Sequence, residues 1–160
     1  MTDSYPFTVC DSNFKGKCVL VTGGTKGIGE AIARRFALGG ASVATTARSE
    51  AASGQDSALF IKSDIGTARG VQNVVDCIQR ERGGLDILVN NVGGTDTKAG
   101  GFEVLSDEDW QRILEVNLLA AVRLDRAFLP GMIERKSGVV IHISSIQHRL
   151  PFSNSTHFLF

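Results

Sequence analysis

The chain has 160 residues, with 17 Lys+Arg balanced by 17 Asp+Glu and a hydrophobic fraction of 42%. That length suits one domain able to bury ~70% of its unfolded surface, and zero net charge gives no support for binding nucleic acid or an anionic membrane. No window approaches the ~20 apolar residues of a spanning helix, and three cysteines (10, 18 and 77) at no metal spacing read as reduced thiols in a cytoplasmic protein without a metal site.

Residues 1–14 carry acids and no long apolar stretch, so they read as an N-terminal arm rather than a secretory signal. Residues 15–160 read as one domain. Its first strand is the apolar run Cys18–Thr22. Gly27–Leu38 places apolar residues at 28, 31, 32, 36 and 37, a helical spacing that Gly39-Gly40 ends. Ser42–Ala47 is the second strand, residues 48–57 a polar loop, and Ala58–Lys62 the third strand. Val71, Val74, Val75 and Ile78 mark one face of a helix closed by Gly83-Gly84, and Leu85–Asn90 is the fourth strand. A glycine-rich loop over 93–105 follows. Ser106-Asp107-Glu108-Asp109 reads as a capped, acidic helix start. That helix runs to about Lys136, with a bend or break expected at Pro130. Val139–Ile143 is the fifth strand.

Strands separated by helices indicate βαβ units and a parallel sheet. The expected fold class is therefore α/β, a Rossmann-type doubly wound parallel sheet of about five strands. Right-handed crossovers give the order 3-2-1-4-5, with a ligand crevice at the carboxyl ends of strands one and four.

The turn after the first strand reads Thr22-Gly23-Gly24-Thr25-Lys26-Gly27-Ile28-Gly29. Glycines there let the backbone approach a ligand closely. The helix that follows points unpaired N–H groups and its positive dipole end at that ligand, which suits an anion such as a dinucleotide pyrophosphate.

This stretch resembles the Thr-Gly-x-x-x-Gly-x-Gly motif of the short-chain dehydrogenase/reductase family. Asn90-Asn91-Val92-Gly93 resembles that family's Asn-Asn-Ala-Gly motif, with Val92 in place of alanine. Asp64 follows the third strand, Asn117 lies mid-helix at the place of the family's structural and proton-relay asparagine, and Ile143-Ser144-Ser145 follows the fifth strand. The resemblance covers about residues 14–156. It implies cofactor contacts at Gly23, Thr25, Lys26, Gly27, Ile28 and Gly29, at Arg48, at Asp64 and Ile65, and at Asn91 and Gly93. Asp64 reads equally well as the N-cap of the helix behind it. Asn90 reads as a residue that pins backbone between strands.

An NAD-binding unit often carries an acid ~20 residues past the glycines, bonding the ribose 2′-hydroxyl. Here Ala47 takes that place, Arg48 follows it, and Lys26 lies inside the glycine turn. A guanidinium grips a 2′-phosphate bidentately, so the expected cofactor is NADP(H) in preference to NAD(H).

The resemblance further implies hydride transfer between a small-molecule carbonyl and alcohol, with Ser145 as the catalytic serine and Asn117 as its partner in the long helix. It also implies a homo-oligomer through the helix over 106–136. The family's Tyr-x-x-x-Lys element is expected 13–14 residues beyond the serine, but that window reads His157-Phe158-Leu159-Phe160. The expectation is a C-terminally truncated member, with an open edge at strand five and little or no turnover. The alternatives are a non-catalytic dinucleotide-binding module and an inactive remnant. His148 and His157 are the only histidines near that window, and neither has a recognisable partner.

Overall fold

The computed structural model describes residues 10, 12–49, 59–94 and 104–145. Most of the expected arm, parts of the 48–57 and 93–105 loops, and the window containing His148 and His157 lie outside the described residues.

The elements run β1 (Cys18–Thr22), α1 (Gly27–Leu38), β2 (Ser42–Ala47), β3 (Leu59–Lys62), α2 (Ala68–Arg82) and β4 (Ile87–Asn90). They continue with α3 (Asp107–Leu114), a π-helical segment (Glu115–Leu119), α4 (Ala120–Glu134) and β5 (Val139–His142). All four strand pairings are parallel, in the order β3-β2-β1-β4-β5. This is the doubly wound sheet that the alternation of strands and helices predicts.

Side chains along a strand alternate between faces, and the core divides accordingly. Leu20, Ala44 and Leu88, with Leu59 and Val140 at the flanks, form one row across the sheet. That row packs under Val71, Val74 and Ile78 of α2 and Leu124, Phe128 and Met132 of α4. Val19, Val21, Val43, Ile87 and Val89 face the other way, onto Ala33, Ile32 and Phe36 of α1. Full burial of each such side chain contributes ~1.5–3 kcal/mol, so the two layers hold the strand ends in fixed register.

Two helix starts follow from local sequence. Ser106 caps α3 reciprocally with Asp109: its hydroxyl accepts from Asp109 N at 3.3 Å, and Asp109 Oδ2 accepts from Ser106 N at 3.0 Å. At α2 the cap is Thr67, whose Oγ1 accepts from Gly70 N at 2.9 Å. Asp64 is therefore not the cap. Its Oδ1 accepts from Gly66 N at 3.0 Å, closing a short turn before the helix.

The long helix departs from expectation in one respect. Pro130 lies inside α4 and does not end it; the helix continues to Glu134. Pro130 is exposed, so water can serve the carbonyl its missing N–H leaves unpaired. The irregularity sits earlier, at Glu115–Leu119. Asn117 Nδ2 donates to Ile113 O at 3.0 Å, taking a carbonyl that the regular ladder would use. The Ala120 N–H then reaches back to Glu115 O, a π-type step.

Candidate functional site

β1 and β4 are adjacent, and the chain leaves them in opposite directions across the sheet. Their carboxyl ends open into a cleft of about 1320 Å³, the place such a reversal makes for a ligand. The floor is tied by Thr22. Its hydroxyl accepts from Asn91 N at 2.9 Å and Val92 N at 3.0 Å, and Asn91 Nδ2 donates to Thr22 O at 2.9 Å. The strand-pinning role expected of Asn90 thus falls to Asn91. Asn90 instead donates from Nδ2 to Asp125 Oδ1 of α4 at 2.8 Å.

The glycine turn crosses one side of the cleft. Gly23 and Gly27 have φ of +65° and +58°, values that disfavour residues with a Cβ. A Cβ on Gly27 would meet nothing within 4 Å, whereas one on Gly29 would lie 2.3 Å from Gly23 O. Gly27 therefore leaves backbone open toward the cleft, and Gly29 lets α1 press against the turn. The N-cap of α1, Lys26, makes no side-chain capping bond, in contrast to Thr67 and Ser106. The first residues of α1, Gly27, Ile28 and Gly29, line the cleft, and a helix start of this kind carries N–H groups without intrahelical partners and the positive end of the helix dipole. This turn fits a dinucleotide pyrophosphate: open backbone, donors and a favourable field coincide.

All eleven residues expected to contact cofactor line this cleft. Gly23, Thr25, Lys26, Gly27, Ile28 and Gly29 supply the turn. Arg48 lies beyond β2, Asp64 and Ile65 beyond β3, and Asn91 and Gly93 beyond β4. Lys26, Arg48 and Asp64 are exposed, and Ile65 is buried.

The two residues expected to take part in chemistry lie outside the lining. Asn117 sits behind it: Nδ2 donates to Gly94 O at 2.9 Å, and Oδ1 accepts from Gly94 N at 2.9 Å. It clamps the stretch after β4 to the long helix. Ser145 lies three residues beyond the end of β5 and is exposed.

A further wall, formed by α3, the π segment and α4, is not marked by any sequence motif. Glu108, Gln111, Arg112, Val116 and Arg123 line it. Arg112 pairs with Asp109 and Arg123 with Glu115. Ile113 and Leu124 are buried in the core, but a helical repeat does not say which element the outward residues face. Glu108 lies at the α3 start, where its own backbone N–H and then the Ser106 hydroxyl hold its carboxyl below the usual range. Among the described residues, no group of three or more His, Cys, Asp or Glu side chains is placed to hold a metal. No helix among them is long and apolar enough to cross a membrane.

The profile of the family described as short chain dehydrogenase matches residues 17–158. A short chain dehydrogenase from Pseudocercospora fijiensis is 39% identical, over 91% of this chain and 51% of that protein. A 3-oxoacyl-[acyl-carrier-protein] reductase from Vibrio cholerae is also 39% identical, over 84% of this chain and 57% of its own length. Among solved structures, L-sorbose reductase from Gluconobacter frateurii, complexed with NADPH and L-sorbose, superposes with a TM-score of 0.82 at 34% identity. That match covers 92% of this chain and 59% of the reductase. Ligand-free aldohexose dehydrogenase from Thermoplasma acidophilum gives a TM-score of 0.83 at 30% identity, over 92% of this chain and 56% of that one.

With its fold, its glycine turn and these relatives in agreement, the chain belongs to the short-chain dehydrogenase family. It spans about half the length of the curated relatives it matches.

Proposed function

We propose that this chain binds NADP(H) in the cleft, in preference to NAD(H), and carries the cofactor half of a carbonyl/alcohol oxidoreductase. The observation that supports this most strongly is the start of α1, which lacks a side-chain cap and sits beside the open Gly27 backbone within the cleft. Lys26 and Arg48 lie on the same cleft lining, and Ala47 stands where an acid selective for the 2′-hydroxyl is expected. The NADPH held by the similar L-sorbose reductase agrees with this choice.

Bound nicotinamide supplies or accepts the hydride. The chain's own residues position and polarise. The Thr22–Asn91 bonds fix the cleft floor, and Asn117 holds the stretch after β4. The Ser145 hydroxyl donates a hydrogen bond to the oxygen of a small carbonyl substrate. Residues 146–160 contain no Tyr-x-x-x-Lys, so no matched residue in this sequence protonates that oxygen. We therefore propose that the 160-residue polypeptide itself holds cofactor with little or no turnover, and that it acts in the cytoplasm.

Titration by nicotinamide fluorescence tests the proposal. NADPH should bind ~10- to 100-fold more tightly than NADH, the range that one charged hydrogen bond spans. Equal affinities would refute the 2′-phosphate assignment. No binding of either cofactor by folded protein would refute the site and leave an inactive remnant.

A further inference from the structure

Charged pairs along a helix ordinarily lie three or four residues apart, where two positions share a face. Arg112 and Asp109 of α3 follow that spacing. Glu115 and Arg123 do not. They pair across eight residues, with side chains 27% and 20% exposed.

In a regular helix of 3.6 residues per turn, positions eight apart sit about 80° from one another round the axis. The stretch between these two is not regular. The Ala120 N–H reaches back five residues to Glu115 O, so that turn holds one residue more than an α-helical one. Removing one residue's worth of rotation leaves Glu115 and Arg123 within about 20° of each other, on one face. Helical side chains also lean toward the N-terminus, which turns Arg123 back toward Glu115. The pairing is therefore a property of the π register, and a continuous α-helix would swing the two partners apart.

Asn117 depends on the same register. It lies inside the π segment and exchanges two bonds of 2.9 Å with Gly94, one through each end of its amide. Gly93 and Gly94 line the cleft, and a Cβ on Gly93 would lie 3.1 Å from Asn117 Oδ1. Leu124, Phe128 and Met132 hold α4 on the sheet. Against that fixed frame, a change of one residue in the winding turns Asn117 by about 100°, away from the backbone it clamps. The ion pair brackets the segment, from its first residue to three beyond Ala120. Desolvation offsets much of the attraction in such a pair, and the best-attested use of buried polar groups is to fix register.

We propose that Glu115 and Arg123 lock the π register and, through Asn117, position the Gly93–Gly94 backbone that walls the cleft. They are positioning residues. Their effect on cofactor affinity rests on the NADP(H) reading above; their effect on the backbone does not.

Amide hydrogen exchange, followed by NMR on the full chain without ligand, tests this. The Gly94 N–H should exchange ~10-fold faster in Arg123→Met and in Glu115→Met, the scale of one hydrogen bond's net contribution. The amides of Val19, Leu20 and Val21 in β1 should keep their protection. The double variant should be no worse than either single one, because both remove the same interaction. Arg123→Lys keeps the pair and should stay near the wild type. NADPH and NADH affinities should fall together in Arg123→Met, by ~2- to 10-fold, unlike the selective loss expected of Arg48→Ala. Circular dichroism shows whether each variant is folded, and if one single variant does not fold the other decides. Unchanged Gly94 exchange in a folded single variant, additive effects in the double variant, or a Gly94 amide unprotected in the wild type would each overturn the proposal. So would a uniform rise across the strand amides, which reports global stability instead. If Gly94 opens as expected but the wild-type chain binds neither cofactor, the register lock stands and the cofactor reading fails.

Discussion

Lys26 and Arg48 belong to different turns of the chain, yet both line the cleft. Their proposed task is the 2′-phosphate, which only one of the two nicotinamide cofactors carries. Arg48→Ala and Lys26→Ala should each weaken NADPH binding, by ~10-fold or more, as expected for loss of a charge-assisted bond. NADH affinity should hardly change. Parallel losses for both cofactors in the fluorescence titration would move these cations away from that phosphate. Gly29 is constrained differently. An added Cβ would lie 2.3 Å from Gly23 O and 2.5 Å from Asn91 Nδ2, and a backbone carbonyl cannot swing aside as a side chain does. Gly29→Ala should therefore cost ~1–3 kcal/mol of stability, as overpacking does. Urea denaturation would read it, and an unchanged midpoint would refute the contact. The glycines, the cations and the two asparagines were legible as residues. Their division of labour was not: Asn90 and Asn91 are neighbours of one type, and only the strand geometry sends one to α4 and the other to β1.

At the level of elements, the long helix is the instructive case. Its start was legible because a capping box is a local pattern, and Ser106 and Asp109 satisfy each other as the spacing suggests. Its irregularity was not, because two opposed cues competed. Pro130 is the usual signal of a break, but the exposed helix around it tolerates a lost N–H. Asn117 gives no such signal in sequence, yet its side chain takes the Ile113 carbonyl and reaches Gly94, which lies far back in the chain. The α3 start also carries a pH dependence. Glu108 has its carboxyl value lowered by folding, chiefly through its own backbone N–H. A lowered value stabilises the helix start fully above the ordinary carboxylate range, and this is lost as pH falls through the folded value. Glu108→Gln should thus lower the melting temperature at pH 7 and leave it unchanged near pH 3, within the screening expected of an exposed group. Equal effects at both pH values would count against this account.

For the whole molecule, the strand order was legible because alternating strand and helix patterns leave few allowed topologies. The cleft lining contributed by α3 and α4 was not, since which outward helix residues face the sheet ends depends on how the helices pack. The proposed division between binding and turnover is testable at this scale. The 160-residue polypeptide should bind NADPH but reduce a panel of ketones and aldehydes far more slowly than ordinary enzymes, whose rates are ~1–10³ s⁻¹. Adding a family-like C-terminal segment, with Tyr at 158 or 159 and Lys four residues later, should recover turnover. Ordinary rates from the unaltered chain would require another proton donor, and His148→Ala and His157→Ala would be the first variants to assay.

The Thr22–Asn91 tie sets synthesis order against assembly order. The central strand is made first among the described strands, yet its Thr22 hydroxyl takes its donors from a strand end 69 and 70 residues further along the chain. At ~5–20 residues per second of translation, β1 spends on the order of ten seconds with one flank unpaired. During that interval its apolar Val19-Leu20-Val21 centre has α1 and β2, and then α2, to shelter it. The glycine turn is thus written early in the sequence, but the strand that completes the cleft floor is among the later pieces to arrive.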